Sequence, residues 1–161
     1  MEYRKIFEAE FREFNRDILE KSWEWLNDPI IKELTSASEF DAESQERWFE
    51  SLKTRNDYYI RSVWYKDKPI GVMGIKHLTD KDGEAFGYLG EKEYWGKTIG
   101  VQGLQYMIDY AKSIKLESLY AIVLKENINS YKLMRRLGFE KEKEIDENAI
   151  VMRLYLFPKE N

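Results

Sequence analysis

The chain has 161 residues, 43% hydrophobic and 35% charged, with a formal net charge of −4. That size and balance fit one soluble domain, read as residues 1–161, and the mild acidity without a basic block argues against a nucleic-acid-binding face. Cysteine is absent, which excludes disulfides and thiol nucleophiles, and the single histidine, His77, supports neither a usual zinc site nor a nucleophile-elbow triad. His77 is therefore read as structural, and no metal is expected.

The N-terminus, Met1-Glu-Tyr-Arg-Lys5, is charged and has no apolar run of the signal-peptide kind. No segment approaches the length of a membrane span, so a cytoplasmic protein is expected. Tyr3 to Phe7 reads as a strand. Leu19 to Asn27 reads as a helix, stopped by Asp28-Pro29 because proline disfavours helix in the residue before it. After a loop around Thr35 to Phe40, Asp41 looks like the N-cap of a helix carrying Trp48, Phe49 and Leu52 on one side.

Tyr58 to Tyr65 and Pro69 to Leu78 read as strands around the turn Lys66-Asp67-Lys68, and a third strand follows Asp80-Lys81-Asp82-Gly83 and ends near Glu91. Together they form an antiparallel meander. A helix with apolar positions Leu104, Met107, Ile108, Ala111 and Ile114 runs to about Lys115. Ser118 to Leu124 is a nearly continuous apolar run, as in a strand buried on both faces. Asn127 to Leu137 forms another helix, closed by Gly138, and Phe139 to Ile145 with Ala149 to Phe157 forms a last hairpin. The order is βααβββαβαββ: an α+β layered domain with one mixed, mostly antiparallel sheet and helices on both faces.

Residues 94 to 104, Tyr94-Trp-Gly-Lys-Thr-Ile-Gly-Val-Gln-Gly-Leu104, carry the most information. They join a strand to a helix N-terminus, where backbone N–H groups lack partners and the helix dipole is positive, which suits an anion such as a pyrophosphate. Lys97 adds a mobile charge, while Gly96 and Gly100 admit close approach to the backbone. Glycines at such a place also serve as plain turn residues, so spacing alone leaves both readings open.

The element order and two local sequences resemble the GNAT superfamily of acetyl-CoA-dependent N-acetyltransferases. Tyr94-Trp-Gly-Lys-Thr-Ile-Gly100 is similar to that family's pyrophosphate loop, and Glu126-Asn-Ile-Asn-Ser-Tyr-Lys-Leu-Met-Arg-Arg-Leu-Gly-Phe139 to its Asn-x-x-Ser helix ending in Leu-Gly-Phe. Trp25-Leu-Asn-Asp-Pro29 resembles the branch containing ribosomal-protein N-terminal and amino-sugar acetyltransferases. The resemblance covers essentially the whole chain. Two departures stand out. Trp95 and Thr98 occupy the places of the loop's Arg/Gln and first Gly, and Met134 stands where many members place a tyrosine general acid. Tyr131, one helical turn earlier, is no automatic substitute.

The resemblance implies acetyl-CoA as co-substrate, held by Leu89, Gly90, Trp95, Gly96, Lys97, Thr98, Ile99, Gly100, Val101 and Asn127. A backbone N–H near Leu89 or Gly90 would bind the thioester oxygen. The amine must lose a proton before it can attack, and Glu91 leads as base, with Glu84 a weaker alternative and a solvated surface carboxylate the plain reading. Ser130 matches the Asn-x-x-Ser form, and its hydroxyl can assist departure of the thiolate or simply supply a small side chain. Trp25, Asn27, Asp28, Phe40 and Trp48 are the expected acceptor-lining residues. The expected acceptor is a primary amine of a small metabolite, an amino-sugar nucleotide among them, or of a protein N-terminus, with a homodimer as a conceivable assembly. The contrasting readings are a non-catalytic acyl-CoA-binding or regulatory module, drawn from the missing tyrosine and Thr98, and another nucleotide-binding domain, which the meander disfavours.

Overall fold

The strand-forming runs β2 (Tyr59–Tyr65), β3 (Lys68–Lys76) and β4 (Asp82–Leu89) pair antiparallel, as their β-branched and aromatic content predicts. In the computed structural model, which describes residues 7–35 and 41–158, they form the middle of a seven-stranded sheet ordered β1-β2-β3-β4-β5-β7-β6. The other strands are β1 (Glu10–Glu13), β5 (Ser118–Leu124), β6 (Glu140–Glu144) and β7 (Ala149–Tyr155), and the helices are α1 (Arg16–Leu26), α2 (Pro29–Thr35), α3 (Ala42–Ser51), α4 (Ile99–Ser113) and α5 (Ile128–Arg136). A 3₁₀ turn, Lys92–Tyr94, precedes α4. No helix among the described residues is long and apolar enough to cross a membrane.

Side-chain alternation sorts the helices onto two faces. Ala85 of β4 packs with Leu104, Met107 and Ala111 of α4 and with Leu119 and Ala121 of β5. Phe86 and Tyr88, pointing the other way, join Ile18 and Trp25 of α1 and Ile31 of α2. At Gly103 the helix lies so close to β3 that a Cβ would run into the Met73 side chain. The Leu-Gly-Phe close of α5 is accounted for by folding: Gly138 turns the chain at φ 99 and Phe139 is fully buried. Burying a side chain of that size contributes about 1.5–3 kcal/mol.

Two expectations need correction, and one lies largely outside the described residues. The strand expected over Tyr3 to Phe7 falls outside the described residues except for Phe7, and the first strand described is Glu10–Glu13. Its polar sequence hides it, since only Phe11, stacked on Tyr106, marks a core face. Pro29 does not merely stop a helix; it opens the short α2 at the first helical position, where its missing N–H costs nothing. Strand β5 is not buried on both faces. Tyr120 and Ile122 face the side away from the buried Leu119, Ala121 and Val123, and Ile122 is 48% exposed.

The Gly103–Met73 approach gives a stability test. Gly103→Ala should destabilise the protein by about 1–3 kcal/mol, the usual effect of overpacking, read as a lower urea midpoint at unchanged slope.

Candidate active site

Strands β4 and β5 are the parallel pair of the sheet, and their register covers only Asp82↔Ser118, Gly83↔Leu119 and Glu84↔Tyr120. Beyond Glu84 they part. Because Gly90 N–H donates to Ile70 O at 2.7 Å, the antiparallel alternation makes Gly71–Leu89 a non-bonded pair, and the N–H groups of Leu89 and Gly87 turn away from β3 toward the gap. Gly87 is exposed although it lies on a central strand. The gap is thus a slot through the sheet, with backbone donors along its β4 edge.

The loop after β4 is held at that edge. Trp95 Nε1 donates to Leu89 O at 2.9 Å, which occupies the carbonyl and leaves the Leu89 N–H for other use. Gly96 takes a left-handed φ of 74, and a Cβ there would meet nothing within 4 Å. In the first turn of α4 the N–H groups of Gly100 and Val101 have no partner among the described residues, whereas Ile99 N–H is bonded to Lys97 O and its side chain is fully buried. Lys97 is exposed, with Nζ 5.7 Å from the Phe7 ring centre. Gln102 ties the turn down, Nε2 donating to Phe7 O at 2.7 Å and to Thr98 Oγ1 at 3.2 Å. These open donors lie beside α5, since a Cβ on Gly100 would approach Leu133 Cδ2 to 3.4 Å. At the start of α5, Asn127 is a helix cap, its side chain accepting from Ser130 N–H at 3.1 Å. The half-buried Ser130 and Met134 share its face of the helix.

On the opposite face lies a cleft of about 250 Å³ walled by Phe14, Trp48, Tyr58, Phe86 and Tyr88. Among the described residues Lys76 is the one charged group lining it, with Ser22, Gln45 and the hydroxyl-bearing Tyr58 and Tyr88 as its other polar residues. Burial pushes the Tyr88 phenol well above its ordinary pKa, opposed by a hydrogen bond with Ser22, so it is a neutral group at physiological pH. A second hollow, of about 290 Å³, includes Asp82, Tyr120 and Arg153 further along the sheet.

Of the residues expected at the acceptor side, Trp48 lines the cleft. Trp25 is buried, its Nε1 donating to Glu91 Oε1 at 3.2 Å. Asn27 is the C-cap of α1 and is exposed. Asp28 is engaged elsewhere, accepting from Ile30 N–H at 2.9 Å and from Lys92 Nζ at 2.6 Å, and the Lys92 bond holds its carboxyl below the usual range. Phe40 lies outside the described residues. Glu91 also faces Lys21, at 3.8 Å. Gly90 N–H is spent on Ile70 and Ile99 N–H on Lys97, whereas the N–H groups of Gly96, Lys97, Thr98, Gly100 and Val101 in the loop and of Gly87 and Leu89 at the slot have no partner among the described residues. Sequence reading missed Gly87, Phe86, Tyr88 and Lys76; strict alternation along β4 would have placed Phe86 and Tyr88 together on one face.

Residues 9–140 match the acetyltransferase (GNAT) domain family. The chain belongs to that family. A Bacillus licheniformis protein described as an uncharacterized N-acetyltransferase is 29% identical over 136 residues, 78% of this chain and 74% of that one. An uncharacterized Methanocaldococcus jannaschii protein is 26% identical over 148 residues, 90% of this chain, and the chain spans only 31% of that relative's length. Among solved structures, the spermidine N-acetyltransferase from Vibrio cholerae in complex with CoA and spermine superposes with a TM-score of 0.84 at 17% identity, covering 92% of this chain and 95% of that one. The Campylobacter jejuni N-acetyltransferase PseH in complex with acetyl coenzyme A gives 0.70 at 22% identity, covering 92% and 99%. The GNAT fold is thereby established over nearly the whole chain.

Gly100 offers a second stability test in this GNAT domain. The chain itself leaves room for a methyl group there, and glycine inside a helix is worse than alanine by roughly 0.5–1 kcal/mol. Gly100→Ala should raise the melting temperature slightly, read by thermal melts.

Proposed function

We propose that the chain transfers the acetyl group of acetyl-CoA to the primary amine of a small, ring-bearing metabolite such as an amino sugar or its nucleotide. The observation that carries this reading is the slot between β4 and β5, which joins two unlike faces. On one face stand the open N–H groups of Gly100 and Val101 beside α5, suited to the diphosphate of coenzyme A. On the other stands the aromatic cleft. A thioester lying in the slot exposes its carbonyl carbon to an amine from the cleft, while Leu89 or Gly87 N–H binds the oxygen on which charge develops.

The wall of the cleft bears on the acceptor. Aromatic rings stack on sugars and bases, and no carboxylate among the described lining residues offers a polycation its counter-charge. Attack is direct, with no covalent enzyme intermediate, so positioning supplies much of the rate. Ser130 Oγ donates to the departing thiolate.

A thiol-release screen with acetyl-CoA against UDP-linked amino sugars, spermidine and N-terminal peptides tests the proposal. The sugar amines should turn over best, and coenzyme A binding without release from any amine would instead support a non-catalytic acyl-CoA module. Ser130→Ala should lower kcat about 3- to 10-fold, the worth of one hydrogen bond, with KM for acetyl-CoA unchanged.

A further inference from the structure

Resting on that acetyl-transfer reading, we propose that Glu84, and not Glu91, takes the proton from the incoming amine through a water, and that His77 passes it to solvent. Glu84 is the last residue of β4 paired with β5, so its side chain stands at the closed end of the slot. It points to the aromatic face, along with Phe86 and Tyr88. Its cross-strand neighbours are Lys76 and Tyr120, and its neighbours two residues along the strand are Asp82 and Phe86. Lys76 and Phe86 line the cleft, whereas Asp82 and Tyr120 line the second hollow. Glu84 itself lines neither depression but stands between their lining residues, at the closed end of the slot.

The Glu84 side chain is 9% exposed, with Oε1 3.2 Å from His77 Nδ1 and Oε2 3.7 Å from Lys76 Nζ. The His77 side chain is 58% exposed. One end of this pair is buried beside the reaction site, and the other is open to water. Glu91 lacks that connection, since its Oε1 accepts from Trp25 Nε1 and faces Lys21, which fixes α1 to the end of β4. Other charged and titratable groups face the pair. Asp57, paired with Arg55, is close enough to His77 to feel its charge, and Asp82, Tyr120 and Arg153 adjoin Glu84 along the sheet.

The step balances as follows. The ammonium gives one proton through water to Glu84, and its freed lone pair forms the C–N bond at the thioester carbon. The tetrahedral intermediate collapses with cleavage of the C–S bond, the second nitrogen proton goes to the thiolate, and the Glu84 proton leaves by way of His77. The products are the acetamide, coenzyme A thiol and one released proton.

The test is the kcat–pH profile of Glu84→Gln, His77→Gln and Glu91→Gln, with acetyl-CoA and the amine of highest turnover in the wild-type screen. Glu84→Gln should lower kcat by about 10²–10⁴-fold at neutral pH, with KM for acetyl-CoA unchanged and activity recovering as pH rises and free amine accumulates. His77→Gln, at an exposed side chain, should fold normally and displace the lower limb of the profile. That limb should coincide with the titration of the imidazole followed by NMR, where the single histidine gives one unambiguous signal. Should Glu84→Gln fail to fold, the His77→Gln profile decides. A wild-type profile in His77→Gln, or wild-type kcat in folded Glu84→Gln, overturns the proposal, as does loss with alkaline recovery in Glu91→Gln alone. An inactive wild-type protein would instead remove the acetyl-transfer reading itself.

Discussion

The opening through this sheet depends on two parallel strands that hydrogen-bond for three residue pairs and then part. A complete β4–β5 ladder would close the sheet and consume the donors of Gly87 and Leu89. Instead the antiparallel bonds to β3 hold β4 firmly on one side and leave its other edge unsatisfied. Strand β5 is secured on its far side by seven residue pairs with β7. Each strand is anchored by its outer neighbour, so the separation is a rigid feature and not a frayed end.

The surroundings of the slot are fixed from both layers. Ile99, fully buried with Val63 and Ile70, seats the start of α4 against the sheet, and Gln102 ties it to the segment before β1. Across the sheet, the Trp25–Glu91 bond and the Asp28–Lys92 pair lock α1 and α2 to the stretch between β4 and α4. Trp25 and Asp28, two of the residues expected at the acceptor side, make these contacts.

The sequence was most legible where local chemistry alone decides structure. Asp41 and Asn127 cap their helices through side chains accepting from the residue three positions on, and the span of β5 matches its apolar run. The turn before α4 was readable because Gly96, which takes a left-handed φ, breaks the strand pattern ahead of the helix. What lay hidden depends on tertiary pairing. The same Glu-Ala-Phe-Gly-Tyr stretch puts Glu84, Phe86 and Tyr88 on one face and Gly87 at a gap, yet only the partner strands show which face and which gap. The His77–Glu84 contact was not legible because the two residues lie seven positions apart across a turn. The bonds of Trp25 to Glu91 and of Asp28 to Lys92 were hidden for the same reason, since each joins residues more than sixty positions apart.

One margin of the sheet bears on self-association. The outer strand β6, Glu140-Lys-Glu-Lys-Glu144, is exposed along its length and reads the same in both directions. Laid antiparallel on a twin copy about Glu142, it would set Glu140 against Glu144, Lys141 against Lys143, and Glu142 against itself. Every facing couple would repel, so that border discourages a two-fold continuation of the sheet from one molecule into the next.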